Sequence, residues 1–374
     1  MILVLLLLFV VYFFCMMALI YGFNKVPNFS FEETVHVTKF SIVIPFRNEA
    51  ANLPALLSSF QKMGYPIDLF EIILVNDDSE DISVDICNDF IADNPKLKMK
   101  LVHSERKTGS PKKDAVETGI GVAEFPYILT TDADCIVPEK WLMSFSSFME
   151  ETGADMIAGP VVLKKADSIL SRFQEIDLLS LQAATIGGFG VGMPFMCNGA
   201  NLCYRKEHFV EVEGFRGNEN IASGDDLFLL EKFRAAGLKT VFLKSKDAIV
   251  VTNPQPHLRS LFAQRIRWAA KTSAYSDLFP KGIGLAVFLM NLLIVAATLL
   301  WAGGLEIKQY LVLAFLVKFN IDFMLIYRAE NFFERESSMK NYFWASALYP
   351  FFCCTVVLFA GFRRYEWKGR KFRK

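Results

Sequence analysis

Apolar stretches at both ends of this chain confine any soluble fold to its middle. Residues 1–23 are almost wholly apolar and uncharged, and as a helix they are long enough to cross a hydrocarbon core of about 30 Å. Three more such stretches, 283–303, 309–327 and 343–362, follow the soluble part. The middle one contains Lys318 and Asp322, one helical turn apart, a spacing at which the two pair and lower the cost of burial. We read this as an ion pair near an interface rather than a transport path. A secretory signal is the competing reading of 1–23. It fits poorly, because the stretch is too long, lacks a basic n-region and precedes no small-residue cleavage site. A retained anchor is the expectation.

Lys25, after an uncharged terminus, puts the soluble part on the cytoplasmic side of a cell membrane. The tail 363–374, with seven basic residues, asks for the same side. Three full crossings after the soluble part would put that tail outside. One segment is therefore expected to be re-entrant or interfacial, with Pro350 and the charged 309–327 stretch as the two candidates. Forty basic residues balance 40 acidic ones, so no global field points to nucleic acid and affinity for a polyphosphate must come from local sites. Seven cysteines without C-x-x-C spacing and four scattered histidines indicate neither a disulfide framework nor a zinc site.

The soluble stretch reads as alternating strands and helices. Phe40-Ser41-Ile42-Val43-Ile44-Pro45 is a short apolar run ended by proline, as expected of a buried strand reaching a sheet edge. Leu53, Leu56, Leu57 and Phe60 then fall on one helix face. Glu71 to Val75, Leu97 to Val102 and Tyr127 to Thr130 repeat the strand theme. Such alternation predicts a mostly parallel sheet with helices on both faces. Gly187-Gly188-Phe189-Gly190-Val191-Gly192 is expected to be a mobile loop, either a connector or a flap. His257 to Lys271 spaces Leu258, Leu261, Phe262 and Ile266 among Arg259, Arg265, Arg267 and Lys271, a basic amphipathic helix suited to an anionic membrane surface.

Four charged stations lie along this stretch: Asn76-Asp77-Asp78, Asp132-Ala133-Asp134, Asp225-Asp226 and Gln264-Arg265-Ile266-Arg267-Trp268. Carboxylates at the ends of parallel strands gather at one edge of an α/β sheet, where ligands bind. Asp132 and Asp134, one residue apart, can hold a hard divalent cation against a diphosphate. Asp77 can accept hydrogen bonds from a base or ribose, and the turn after it can equally cap a helix. Asp225-Asp226 can supply a base for an acceptor hydroxyl or, again, a helix cap. The last station offers a guanidinium for phosphate and an indole for a sugar ring; lipid headgroups are the alternative partner. The basic segment Lys107 to Lys113 is a phosphate contact or a solvated turn. Together these residues describe an enzyme that handles a nucleotide-linked substrate at a membrane surface.

Taken in order, the stations resemble glycosyltransferase family 2, membrane-bound inverting enzymes of GT-A fold. The resemblance covers roughly 38–275, the implied catalytic domain, with 257–273 as its interfacial helix. It is flanked by the anchor 1–23, C-terminal transmembrane segments over 283–362 and the basic tail 363–374. Ser41 to Glu49 is similar to the opening strand whose end contacts the nucleotide, implicating Pro45, Arg47 and Glu49. Val75 to Asp81 resembles the V-D-D-x-S-x-D turn, with Asp77 as the implied base-recognising carboxylate. Thr131 to Asp134 matches the D-x-D that binds metal and diphosphate. Ser223-Gly224-Asp225-Asp226-Leu227 resembles the E-D motif, with Asp226 the implied general base. Gln264, Arg267 and Trp268 match Q-x-x-R-W, and Cys197 to Arg205 resembles an acceptor-side G-x-x-x-x-x-R segment. Asn76 replaces the usual first Asp, Asp225 replaces the usual Glu, and Lys112 lies in a looser match to K-x-G-A-L-N.

The resemblance implies a hexosyltransferase-like enzyme using Mg²⁺ or Mn²⁺, a nucleotide-diphospho-sugar donor such as a UDP-sugar, and a lipid, lipid-linked or polysaccharide acceptor. A processive polysaccharide synthase and an inactive membrane scaffold that keeps the donor fold are the alternatives.

Overall fold

The computed structural model describes residues 2–31, 37–219, 221, 224–270, 277–335, 339–362, 365–367 and 370–372. Ser223 of the E-D segment, Lys271 to Ser273 of the amphipathic helix, and Arg363, Arg364, Lys368, Gly369, Arg373 and Lys374 of the tail lie outside the described residues. The chain opens with α1 (Ile2–Lys25) and enters the sheet as β1 (Phe40–Phe46), α2 (Leu53–Gln61), β2 (Phe70–Asn76), α3 (Ser83–Asp93), β3 (Met99–His103), α4 (Pro111–Val122) and β4 (Tyr127–Thr130). After β5 (Cys135–Ile136) come α5 (Trp141–Thr152), β6 (Met156–Ala158), β7 (Val161–Leu163) and the 22-residue α6 (Ile169–Gly190). The domain ends with β8 (Leu202–Arg205), α7 (Lys206–Glu211), α8 (Asp225–Ala235), β9 (Thr240–Phe242), β10 (Val250–Thr252) and α9 (Leu258–Ala270). Three apolar helices follow, α10 (Leu278–Ala302), α11 (Lys308–Phe333) and α12 (Met339–Phe362), then the short ribbon β11 (Tyr365–Trp367) and β12 (Arg370–Phe372).

The main sheet runs β3-β2-β1-β4-β8-β6-β9, with β8 alone antiparallel to its neighbours. A smaller sheet runs β5-β10-β7. The expected α/β architecture, mostly parallel with flanking helices, is therefore present. β1 alternates its side chains between two cores, as a strand must. Ile42 and Ile44 join Leu53, Leu56, Leu57 and Phe60 of α2 together with Trp141 and Phe145 of α5. Val43 faces Ala115, Val116 and Ile120 of α4, in a core that runs unbroken into the membrane helices. Pro45 costs the ladder nothing. Val43 O points towards β4, so Pro45 does too, and β4 has already ended opposite Val43. The strand order reverses between β2-β1 and β1-β4, and such switch points open ligand crevices.

Among the described residues, α1, α10, α11 and α12 are long and apolar enough to cross a membrane. Pro350 lies inside α12 without ending it, and α11 is continuous through its charged stretch. The Lys318 ammonium pairs with Asp322, and the Tyr12 hydroxyl of α1 donates to the same carboxylate. The pair anticipated in this segment is thus present, with a partner from another helix.

Two expectations need correction. Gly187 to Gly190 do not form a mobile loop but the last turns of α6. A Cβ on Gly187 would overlap the Leu19 carbonyl, and one on Gly190 would overlap that of Gly22. Small residues that let two helix backbones touch are the usual solution for helices packed in lipid, so the glycine run is a helix seam. The second concerns one residue of α9: Arg265 is buried rather than turned to headgroups. Where α1 ends, Lys244 Nζ donates to Phe23 O at 3.1 Å and Val26 O at 3.2 Å and lies 4.2 Å from the Phe23 ring centre. Its burial lowers the lysine pKa, and the last carbonyls of α1 gain the donor that a helix end otherwise lacks.

Candidate active site

The C-terminal ends of β1, β2, β3 and β4 lie at one edge of the sheet, and antiparallel β8 starts there, with Leu202 paired to Thr130. At the β1–β2 side, Arg47 holds the turn after β2. Its Nη1 donates to Asp77 O at 2.9 Å and to Asp78 O, and its Nη2 pairs with Glu80 at 2.5 Å. Asp78 takes a left-handed φ of 53° there. Asn76 does work that its acidic counterpart in the motif could share only in part. Its Oδ1 accepts from Ser79 N at 2.9 Å, and its amide lies 3.2 Å from His103 Nδ1. Glu49 accepts from Asn52 Nδ2 at 2.6 Å. The Asp77 carboxylate is almost fully buried and pairs with Arg106, which also reaches Asp78 at 3.3 Å. Arg106 went unnoticed in the sequence, although its place just after β3 at the same sheet edge was a usable signal.

At the β4 end, Lys112, Asp132 and the adjacent pair Asp225 and Asp226 converge from three separate segments. Lys112 Nζ lies 2.8 Å from Asp132 Oδ1 and 3.3 Å from Asp225 Oδ2. Burial works against its charge, but the carboxylates of Asp132, Asp225 and Asp226 prevail and hold its pKa well above the ordinary lysine value. Asp226 Oδ2 accepts from Gly199 N at 3.1 Å and Oδ1 from Leu227 N at 2.8 Å. Gly199 is itself fixed to the strand end, because Thr130 Oγ1 donates to Gly199 O at 2.7 Å. The segment before β8 thus ties the second and third stations together. Lys113 turns the other way, donating to Asn218 O at 2.7 Å. The Lys107 to Ser110 segment is a partly solvated turn, with Lys107 and Gly109 exposed, and it is tied to α4: Asp114 accepts from Lys107 N, Thr108 N and Thr108 Oγ1 at 3.1, 3.0 and 2.7 Å.

Asp132 and Asp134 are both partly exposed where β4 ends. Two carboxylates on alternate residues form a hard-oxygen donor set suited to Mg²⁺ or Mn²⁺, and the ammonium on Asp132 marks a place that favours a cation. The residues present therefore fit such an ion. Among the described residues no cluster of three or more His, Cys, Asp or Glu could hold a metal by itself.

The fourth station is organised by Arg265, which the sequence reading placed only among the basic residues of an amphipathic helix. Arg265 Nε donates to Asp177 Oδ2 of α6 at 2.6 Å, with both side chains under a tenth exposed. Its Nη1 donates to Gln264 Oε1 at 2.5 Å, and its guanidinium stacks 4.2 Å from the Trp268 ring centre. Gln264 and Trp268 are held through Arg265, and Arg267 lies two residues on, on another face of α9. Asp177 also borders a cavity of about 240 Å³ between α1, α6 and the C-terminal helices. That cavity is mostly apolar, with Tyr12, Ser180, Lys318, Asp322 and Tyr349 among its polar groups.

A parallel sheet with this reversal, one antiparallel strand and an acidic edge defines the GT-A type of glycosyltransferase fold. It is shared with the mannosyltransferase PcManGT of Pyrobaculum calidifontis, solved in complex with GDP-Man and Mn²⁺, at a TM-score of 0.56 and 17% identity, over 88% of this chain and 98% of that one. The chain belongs to glycosyl transferase family 21, whose sequence model matches residues 8–373. The glycosyltransferase part of the motif resemblance stands, and 21 is the family matched. Curated relatives include the probable glycosyltransferase YdaM of Bacillus subtilis, 28% identical over 243 residues, 64% of this chain and 56% of that protein. The poly-beta-1,6-N-acetyl-D-glucosamine synthase of Staphylococcus aureus is 24% identical over 272 residues, 69% of this chain and 60% of that protein. The chain thus spans less than two thirds of the length of these relatives.

Proposed function

We propose that this chain is a membrane-bound inverting glycosyltransferase. It moves a sugar from a nucleotide-diphospho-sugar, a UDP-sugar, to a lipid, lipid-linked or polysaccharide acceptor on the cytoplasmic side of the membrane. The observation that carries the reading is the convergence of Lys112, Asp132, Asp225 and Asp226 at the switch-point edge of the sheet. Asp226 is the base. Each of its oxygens accepts one backbone N–H and keeps a second acceptor position, since an ionised carboxylate offers about four. It takes the proton of the acceptor hydroxyl as that oxygen bonds to the anomeric carbon, opposite the departing diphosphate. The bond from the anomeric carbon to the diphosphate breaks with its electron pair. Lys112 meets the charge that builds there, in a partly desolvated site where such stabilisation is strongest. When bound by Asp132 and Asp134, Mg²⁺ or Mn²⁺ supplies Lewis-acid neutralisation of the same group. Asp77 with Arg106 and the Arg47-held turn form the nucleotide side, together with Pro45 and Glu49. Gln264, Arg267 and Trp268 frame the diphosphate and the sugar.

A membrane acceptor is supported by the core that joins the sheet to four apolar helices and by the cavity bordered by Asp177. The likeness to a poly-beta-1,6-N-acetyl-D-glucosamine synthase favours a second reading, repeated addition to a growing chain, which product length distinguishes. The test is a panel of nucleotide sugars assayed with membrane extract for release of the free nucleoside diphosphate, with and without EDTA. Asp226→Asn should abolish release while nucleotide binding persists. Release at the unsubstituted rate would remove Asp226 from the mechanism.

A further inference from the structure

A lysine ammonium occupies the carboxylate on which a divalent cation is expected. Lys112 sits 2.8 Å from Asp132 and 3.3 Å from Asp225, with a fifth of its side chain exposed. It is the second residue of α4, a position where the helix dipole disfavours a positive charge. The adjacent Lys113 points away, to Asn218 O and the Phe228 ring, so the acidic pair, and not the start of the helix, determines where Lys112 lies. The two carboxylates it joins come from different parts of the site. Asp132 follows β4 on the donor side, and Asp225 opens α8 beside the proposed base.

We propose that Lys112 serves as a resident counter-ion. It holds Asp132 until nucleotide diphosphate and divalent cation arrive together, and then transfers its hydrogen bonds to the diphosphate. This inference rests on the glycosyltransferase reading of the same site. A cation arriving alone has to compete with the ammonium for Asp132. When diphosphate is present, the ammonium has a second anionic partner and leaves Asp132 at lower cost. Cation and nucleotide therefore bind with positive coupling, and by linkage each tightens the other by the same factor.

Mn²⁺ binding to the full-length protein in detergent, followed by loss of the free-ion EPR signal with and without UDP, tests this. Without UDP, Lys112→Met and Lys112→Gln should bind Mn²⁺ on the order of tenfold more tightly than the unsubstituted chain, the scale of one charged hydrogen bond removed from competition. The factor by which UDP tightens Mn²⁺ should shrink in both. Lys112→Arg keeps the charge and should keep the weak UDP-free binding. Suppose Asp132→Asn abolishes Mn²⁺ binding, but Lys112→Met and Lys112→Gln leave it unchanged or weaker. The role of Lys112 is then overturned, while the reading of the site survives. Binding that Asp132→Asn leaves intact, or no binding in any variant even with UDP, overturns both.

Discussion

Replacing Asp177 by Asn removes the counter-ion of Arg265 while hardly changing the shape of the side chain. The pair is direct, at 2.6 Å, and its side chains are only 8% and 4% exposed. The Arg265 guanidinium also meets the Gln264 carboxamide oxygen and the Trp268 ring, neither of which brings a negative charge. Stripping one partner from such a buried pair costs about 3–5 kcal/mol. With an unfolding entropy of about 2.1 cal/mol/K per residue, a chain of this length should lose roughly 5 °C in melting temperature. Replacing both partners, Asp177→Leu with Arg265→Met, should recover most of that loss, because an apolar pair of similar volume is often no less stable. Sugar transfer should fall in both variants, since Arg265, which orients Gln264 and Trp268, loses its anchor in the first and is absent from the second. Thermal melts in detergent and nucleoside diphosphate release from the same preparations read the two effects separately. An Asp177→Asn protein that melts within about 1 °C of the unsubstituted chain would refute the argument that Arg265 depends on this carboxylate.

Two further outcomes follow from the packing. Gly190→Ala should separate α1 from α6 and cost about 1–3 kcal/mol, whereas Gly282→Ala, which meets nothing within 4 Å, should cost nothing; equal melting temperatures would dismiss the helix seam. Asp277 caps α10 by accepting from Phe279 N at 3.0 Å and pairs with Arg234 at 2.8 Å. The Arg234 hydrogen bond holds its carboxyl below the ordinary range. Its contribution is therefore complete above the unfolded-state value and is lost as pH falls through the depressed folded value. Asp277→Ala should cost about 1 kcal/mol at neutral pH, with the difference closing below about pH 4. A gap that persists unchanged into acid would mean the carboxylate charge is not what the cap uses.

The first four strands were legible because each is an apolar run stopped by a polar residue, and that same residue lies on the ligand edge. The three-residue strands β6, β7, β9 and β10 were not legible, since so short a run carries no period of its own. The long α6 was hidden by its glycines, which resemble a loop until another helix is laid against them. Asp132, Lys112 and Asp226 were legible from their motifs, and the structure brings them together. Asp177 was not: its role depends on Arg265, 88 residues away in sequence. Choosing between Arg265 and Arg267 from motif spacing alone overlooks the helix, because residues two apart project from different faces. Only one of them can meet α6.

The lysine that closes the end of the first helix also fixes how the sheet domain sits on its apolar helices. Lys244 comes from the sheet domain and grips the carbonyls of Phe23 and Val26, while Phe29 N donates to Lys244 O at 2.8 Å. A loose tether would let the sheet domain wander and tilt relative to the apolar helices. Fastened here and along the glycine seam, the sheet domain keeps one standoff and one attitude to α1.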